Sequence, residues 1–193
     1  MQEQAINNLV TFLEATISIP SNELDKFLSL LTYVEFKKNQ KIISSKKICD
    51  RVYFLSEGFV KYELNQLNQP KVIHISSSGT FVSDFFSYYS RQPAITDVYA
   101  ITKSSLLVAS RAPLEKLYSE NVVWANFGRK IAENAVVHQI VRHIKLQTSS
   151  AEERYLETLT SNPDLFKVIK LGDLAQTLGV TQETLSRIRK RIQ

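Results

Sequence analysis

The segment 168–193 constrains the fold of this chain most, because it has the pattern of two short helices joined by a tight turn. Leu174 and Leu178 fall on one face of the first helix. Gly179 can take the left-handed conformation that ends a helix, and Thr181 is a good N-cap for the second helix. A compact helical pair is therefore predicted at this end of the chain.

Positive charge is concentrated in the same segment. Residues 167–193 carry six Lys and Arg side chains against two carboxylates, which is +4 of the chain's net charge of +5. Because basic charge on one small helical unit favours a polyanion, the pattern indicates duplex DNA as a partner. The alternative is an ordinary amphipathic helix pair with a solvated basic face, and the helix pattern alone does not distinguish the two.

The outward face of the second helix suits the major groove of DNA. Arg can make a bidentate contact with guanine, Gln can pair with adenine, and Glu can accept from cytosine. We expect Arg187 and Glu183 to read bases with help from Gln182, while Thr181, Arg189 and Lys190 mostly hold backbone phosphate. The predicted DNA-binding residues are Thr181, Gln182, Glu183, Ser186, Arg187, Arg189 and Lys190.

This segment resembles the helix-turn-helix of the CRP/FNR family of bacterial transcription regulators. The turn Gly179-Val180-Thr181 and the run Glu-Thr-Leu-Ser-Arg-Ile at 183–188 carry the resemblance. Many members have Arg where this chain has Gln182, which implies a half-site different from the family's usual one. The family's two-stranded wing would follow the second helix, and we expect it to be absent or truncated here.

The resemblance extends over nearly the whole chain. Residues 52–61 resemble the central strand pair of the family's β roll, with Gly58 at a hairpin, and 78–84 resemble the start of its ligand cassette. Residues 152–156 resemble the first helix of the DNA-binding domain in a short-chain branch of the family. The implied fold class is α+β, an N-terminal β jelly roll with a long dimerisation helix and a small winged-helix-like domain. The expected domains are a sensor roll at 1–120, a dimerisation helix at 121–147 and a helix-turn-helix domain at 148–193.

Periodicity in the sequence predicts a similar order of elements. Apolar residues recur at helical spacing near the N-terminus, and β-branched and aromatic residues then alternate with turns, as in a sandwich or jelly roll. The expected elements are helices at 2–15 and 21–31 with Ser21 as an N-cap, strands over 33–109 with turns at 38–40, 68–70 and 76–79, and a short helix after Pro113.

A long helix is predicted from about residue 122 to residue 147. Its apolar residues cover more than one face, which is too wide for a helix packed on one side only. Either the helix packs on its own roll and on a second copy, or it is buried within one domain. The resemblance favours a homodimer, and the residues expected to matter on this dimer helix are Trp124, Phe127, Ile131, Ala135 and Val141. A hinge at 148–150 would follow, with Ser149 and Glu152 or Ser150 and Glu153 as a capping box.

The cassette lacks the residues that hold a cyclic nucleotide. In the family a Gly-Glu pair binds the ribose and an Arg-Ser or Arg-Thr pair neutralises the phosphate, whereas the matching positions here are Ser83-Asp84 and Ala94-Ile95. Since a buried phosphate needs a cation, tight cyclic AMP binding is not expected. Nearby aromatic side chains could line an apolar pocket for an unknown effector, or could simply fill the roll. The expected pocket residues are Phe81, Ser83, Asp84, Phe85, Ala94, Ile95 and Tyr99.

Several other classes of protein are disfavoured by the sequence. No apolar run reaches the ~18 residues that span a bilayer, so we expect a cytoplasmic protein without a membrane partner. The single cysteine, Cys49, excludes an internal disulfide and argues against an iron–sulfur cluster. His138 and His143 are wrongly spaced for one metal ion. No phosphate loop, nucleophile elbow or paired-carboxylate motif is present, so no enzyme, metal or cofactor is expected.

The sequence therefore predicts a transcription regulator whose partners are duplex DNA and a second copy of itself, with RNA polymerase as a further candidate. An effector in the roll could shift the long helix and the hinge. Two alternatives remain. The chain could bind DNA constitutively, or it could be a small-molecule sensing module whose C-terminal helices contact another protein.

Overall fold

The computed structural model describes residues 1–65 and 69–192 of the chain. The helices in these residues are α1 (Gln2–Thr16), α2 (Ser21–Ser29), α3 (Phe85–Ser90), α4 (Arg111–Glu120), α5 (Val122–Thr148), α6 (Ala151–Ser161), α7 (Leu165–Val168), α8 (Leu171–Thr177) and α9 (Gln182–Ile192). The strands are β1 (Thr32–Phe36), β2 (Lys41–Ile43), β3 (Arg51–Glu57), β4 (Phe59–Leu64), β5 (Lys71–Ser77), β6 (Thr80–Val82), β7 (Thr96–Ala100) and β8 (Ser104–Ser110).

The described strands form two antiparallel sheets, ordered β1-β8-β3-β6 and β2-β7-β4-β5. Leu55 and Leu106 of the first sheet pack with Val60 and Val98 of the second, and all four side chains are fully buried. The roll therefore has its own apolar core between the sheets, which confirms the strand-rich interpretation of 33–109.

Gly58 lies where the chain passes from one sheet to the other. The predicted hairpin at this position is wrong, because β3 and β4 belong to different sheets. Gly58 has φ +101, and a Cβ atom there would lie 2.4 Å from Ser104 Oγ and 2.9 Å from the Lys103 carbonyl oxygen. A left-handed conformation and this close approach both require glycine.

A second core covers the outer face of the first sheet. Successive side chains of a strand point to opposite faces, so Phe54 faces outward from the roll while Leu55 faces inward. Helices α1, α2 and the start of α5 cover this outer face, where the rings of Phe27 and Trp124 stack with centroids 4.4 Å apart. Phe127 completes the cluster.

The predicted helices near the N-terminus are present, with small differences at their ends. The predicted cap is wrong, since Pro20 is the N-cap of α2 and Ser21 is already helical. Helix α4 begins at Arg111, before Pro113, because a proline in the first turn costs no helical hydrogen bond.

The predicted turns at 38–40 and 76–79 are each marked by a residue with positive φ. These residues are Asn39 at 66° and Gly79 at 82°. The predicted turn at 68–70 begins at Asn68, which lies outside the described residues.

Two serines connect α5 to α6. Helix α5 ends at Thr148, and Ser150 accepts from the Glu153 amide while the Glu153 carboxylate accepts from the Ser150 amide. This confirms one of the two predicted capping boxes. Only Ser149 and Ser150 separate the two helices.

The C-terminal helical pair has the predicted turn. Gly179 has φ +71, and the Val180 amide donates to the Ala175 carbonyl at 3.0 Å, closing the end of α8. Leu174 and Leu185 are buried between α8 and α9. Lys170 is the N-cap of α8 and its side chain makes no capping hydrogen bond.

Candidate functional site

Helix α9 presents the polar residues that the sequence singles out. Thr181 caps it, since its hydroxyl accepts from the Thr184 amide at 3.2 Å. Gln182, Glu183 and Arg187 are exposed at the start and middle of the helix. A helix that buries Leu185 on one side and exposes these groups on the other has the shape of an element that enters a groove.

Glu183 is held in its ionised form at the helix N-terminus. Its own backbone amide and the Thr181 hydroxyl donate to the carboxylate, and Arg187 adds a favourable charge, so the pKa of Glu183 is lowered. A carboxylate in this state can accept a hydrogen bond from an amino group but cannot donate one.

The cations of α9 differ in their surroundings. Arg187 and Lys190 are exposed, whereas Arg189 and the neighbouring Ser186 are half-buried. Arg191 forms an ion pair with Glu152 of α6. Arg187 and Lys190 are therefore the exposed members of the predicted set that carry positive charge.

The expected pocket residues do not come together in one cavity. Asp84 is buried and caps α3, accepting from the Ser87 amide at 2.9 Å. Its other oxygen accepts from the Thr96 amide at 3.1 Å and the Thr96 hydroxyl at 2.8 Å. Asp84 is thus neither a solvated carboxylate nor an open ligand contact, but ties α3 to β7.

The segment that would carry a phosphate-binding cation is also occupied by protein contacts. The Ala94 amide donates to the Lys47 carbonyl, and Ala94 is buried, while Ile95 is 36% exposed. Arg91, the nearest cation in sequence, donates to the Cys49 carbonyl at 3.3 Å. Ser83 is buried and donates to the Arg51 carbonyl.

Tyr99 belongs to a polar cluster on the second sheet. Lys41 lies 5.2 Å above its ring and forms an ion pair with Asp97 at 2.9 Å. Burial alone would raise the pKa of Asp97, but hydrogen bonds from Lys41 and the Ser45 amide hold it below the usual value. The charges of Lys41 and Asp97 are therefore paired with each other rather than free to bind a ligand.

A cavity of about 310 Å³ lies on the other side of the first sheet. The sheet and helices α1 to α5 line this partly open cavity. Its lining is largely aromatic, including Phe27, Phe54, Phe81, Phe85, Tyr88 and Tyr118. Phe81 and Phe85 are the members of the expected pocket that reach it. The sequence signal was the aromatic cluster around the cassette, but Tyr118 lies far along the chain and periodicity did not identify it.

Helix α5 has one face against the roll and one face in solvent. Trp124 and Phe127 of the expected dimer helix are buried in the roll's own core, so they form the face of α5 that packs within the chain. Ile131 also packs on this core, and Ala135 is half-buried. Val141 is 42% exposed and belongs to an apolar stripe whose members are Val136, Val137, Ile140, Val141 and Ile144.

Polar contacts join the roll to the helical pair. Lys61 of β4 lies 2.6 Å from Glu63 and 3.0 Å from Asp173 of α8. The Val72 amide donates to the Gln176 side chain at 2.6 Å. Arg142 of α5 donates to the Ile73 carbonyl and, at 3.3 Å, to the Thr177 carbonyl. The sequence did not reveal these contacts, because their partners are far apart along the chain.

His74 lies on β5, whereas His138 and His143 both lie on α5. Cys49 is buried beside Ser83. Across residues 1–65 and 69–192, no group of three or more His, Cys, Asp or Glu residues is arranged to hold a metal ion. In the same part of the chain, no helix combines the length and apolar character that a membrane span requires.

Comparison with known proteins identifies the roll. Residues 33–121 match the family model of the cyclic nucleotide-binding domain. No match is found among curated proteins.

Solved structures match most of the chain. FixK2 from Bradyrhizobium japonicum matches with a TM-score of 0.68 and 19% identity, over 84% of each chain. A structure described as a CRP/FNR-family transcriptional regulator, from Eubacterium rectale, matches with a TM-score of 0.69 and 12% identity, over 90% of this chain and 83% of that one. The c-di-GMP-responsive regulator CLP from Xanthomonas campestris matches with a TM-score of 0.65 and 14% identity, over 90% of this chain and 91% of that one. The fold is thus a cyclic-nucleotide-binding-type jelly roll followed by helices, as in these regulators.

Proposed function

We propose that this chain is a sequence-specific DNA-binding transcription regulator of the CRP/FNR type, which binds a pseudo-palindromic site as a homodimer. The observation that carries the proposal is the exposed polar face of α9, with Gln182, Glu183 and Arg187 beside a capped N-terminus. The structural similarity to regulators supports it at the level of the fold.

The proposed roles follow from the chemistry of each group. Arg187 can donate two hydrogen bonds to guanine, ionised Glu183 can accept from cytosine, and Gln182 can pair with adenine. Lys190 and Thr181 would hold backbone phosphates, which set the register of the helix but do not read sequence. Half-buried Arg189 would reach a phosphate at the edge of the groove.

The exposed stripe of α5 supports the homodimer. Val136 and Val137 are each 57% exposed and Ile140 is 53% exposed, and they form one side of a 27-residue helix. Since soluble monomers rarely leave such a contiguous apolar patch in water, we propose that a second copy covers it. A two-fold dimer would place the two α9 helices about one DNA turn, ~34 Å, apart.

The described contacts disfavour cyclic AMP as the effector. At the positions where the family's phosphate-binding pair would lie, this chain has buried Ala94 and apolar Ile95, and Arg91 is engaged with a backbone carbonyl. A cyclic phosphate in this place would lack its counter-charge, which is costly in a low-dielectric site.

Selection of bound duplexes from a random library, with the full chain and no added ligand, tests the proposal. We expect enrichment of an inverted repeat whose half-sites are one helical turn apart. The affinity for the selected site should also fall with salt, by roughly 0.9 log units per neutralised phosphate for each log unit of salt. Salt-sensitive retention without enrichment would contradict sequence-specific reading, and no retention at all would favour the protein-contact alternative.

A further inference from the structure

The aromatic cavity is separate from the cassette positions that would hold a cyclic nucleotide. Phe54 and Leu107, which face outward from the roll, form its floor, whereas Leu55 and Leu106 on the same strands face the core between the sheets. Its volume of about 310 Å³ falls in the range of small-molecule pockets. The cavity is partly open to solvent at the exposed Tyr89, so a small molecule can enter it.

The charges at the rim of the cavity are already paired. Glu115 and Arg129 line its exposed edge. Glu115 forms an ion pair with Arg111, and Arg129 forms one with Glu133. Because no lining cation is left with an unpaired charge among the described contacts, the site does not call for an anionic ligand.

Tyrosine hydroxyls supply the polar groups of the lining. Tyr88, Tyr89 and Tyr118 all line the cavity, and Tyr88 is only 6% exposed. Within the described residues, no hydrogen bond joins these three hydroxyls to another protein group. Burial raises the pKa of Tyr88 to about 12 and also raises that of Tyr118, so both remain neutral hydrogen-bonding groups.

Gly128 keeps the wall of the cavity close to Tyr118. A Cβ atom at Gly128 would lie 3.1 Å from the Tyr118 ring, so α5 approaches α4 at a distance that a larger residue would disturb. The aromatic wall and the helix are thus in direct contact, and residues of both line the cavity.

We propose that this cavity binds an uncharged, ring-containing apolar molecule with one hydrogen-bonding group, which pairs with a tyrosine hydroxyl. The lining supplies ring faces for stacking and neutral partners for a single polar group. The inference that this molecule is the effector rests on the proposed function.

Helix α5 is the element that would transmit occupancy. Its residues Phe127 and Ile131 line the cavity, its exposed stripe carries Ile140, and Arg142 contacts the end of α8 through the Thr177 carbonyl. A ligand that binds better to one position of α5 than to another would therefore change the placement of α9.

Binding of the neutral fluorophore N-phenyl-1-naphthylamine to the full chain, without DNA, tests the site. We expect saturable binding at one site per chain that cyclic AMP does not displace. Ala132→Leu, which adds a larger side chain to the lining, should weaken binding by at least about tenfold. Ala125 lines the same cavity nearer the start of α5. Ala125→Leu replaces Ala132→Leu in the test if circular dichroism shows that Ala132→Leu does not fold.

Two matched controls make the result specific. Ala112→Leu, exposed on α4 and outside the lining, should bind the probe like the wild type. Tyr118→Phe should weaken binding by about fivefold, while Tyr99→Phe on the second sheet should not. Absence of saturable binding, or equal binding by the filled variants, would overturn the proposal. Because the assay contains no DNA, its failure leaves the DNA-selection result independent, and a failed selection leaves the cavity result independent.

Discussion

Lys61 on β4 and Asp173 on α8 are 112 residues apart in sequence, yet Lys61 Nζ lies 3.0 Å from Asp173 Oδ2. Their side chains are only 15% and 21% exposed. Burial alone would lower the pKa of Lys61, but Glu63 and Asp173 raise it, so the lysine stays charged. The C-terminal helical pair is therefore held against the roll by a partly buried charge pair.

This pair should contribute measurably to stability. A double-mutant cycle of Lys61→Met and Asp173→Asn, followed by urea unfolding, should give a coupling energy of about 1 kcal/mol. The exposed pair Lys167–Asp164, at 75% and 72% exposure, is the matched control and should couple by no more than a few tenths. Equal coupling in the two cycles would mean that the Lys61 contact is not a stabilising link.

Arg187 and Lys190 should affect DNA binding differently. Arg187→Ala should cost about 1–3 kcal/mol on the selected site and relax the preference at one base pair. Lys190→Ala should weaken binding to all DNA sequences about equally. It should also reduce the slope of log affinity against log salt concentration by about one. Affinities on the selected and scrambled duplexes at several salt concentrations measure both effects. If Arg187→Ala weakens every sequence equally, Arg187 contacts only phosphate.

Ile140 should stabilise the proposed dimer. Ile140→Glu places a charge in the exposed stripe of α5 and should convert the protein to a monomer, because an unpaired charge is costly in an apolar interface. Gln139→Glu adds the same charge at the adjacent exposed position, off the stripe, and should leave the dimer intact. Analytical ultracentrifugation distinguishes the species. A wild type that sediments as a monomer would refute the interface.

Asp84 should act on stability rather than on ligand recognition. Asp84→Asn turns an amide donor toward groups that now donate to a carboxylate, among them the Thr96 amide and hydroxyl. We expect a loss of about 1–3 kcal/mol in the free energy of unfolding, with probe binding retained whenever the chain is folded. Unchanged stability together with lost probe binding would reassign Asp84 to the ligand.

His74 should make stability depend on pH. Its burial, with the nearby charges of Arg142 and His138, lowers its pKa to about 4. The unfolded chain, with a His pKa near ~6.5, binds more protons between these values. The contribution of His74 is therefore full above about pH 6.5 and is lost as pH falls toward about 4, by on the order of 3 kcal/mol.

Unfolding free energies of the wild type and His74→Asn across this pH range measure the effect. The variant should show the shallower dependence on pH, because it lacks the group whose protonation differs between the two states. Identical slopes would contradict the assignment.

Local features of the fold could be predicted from the sequence because they depend on near neighbours. The turn at Gly179, the cap at Thr181 and the Ser150–Glu153 capping box all involve residues within a few positions of each other. These interactions depend on the local helix ends and not on the packing of distant segments.

Tertiary structure decided the remaining features. Gly58 marks a turn in the sequence, but only the pairing of β3 and β4 with other strands makes it a crossing between sheets. The apolar pattern of α5 identified which residues avoid water, yet not that Trp124 faces the roll while Ile140 faces solvent. The sequence by itself thus determined the local turns, caps and charge of the helical pair. The packing of distant segments decided which carboxylates are hydrogen-bonded or ion-paired, which aromatic rings line a cavity and which apolar surface remains exposed. The reason is that burial depends on neighbours far along the chain.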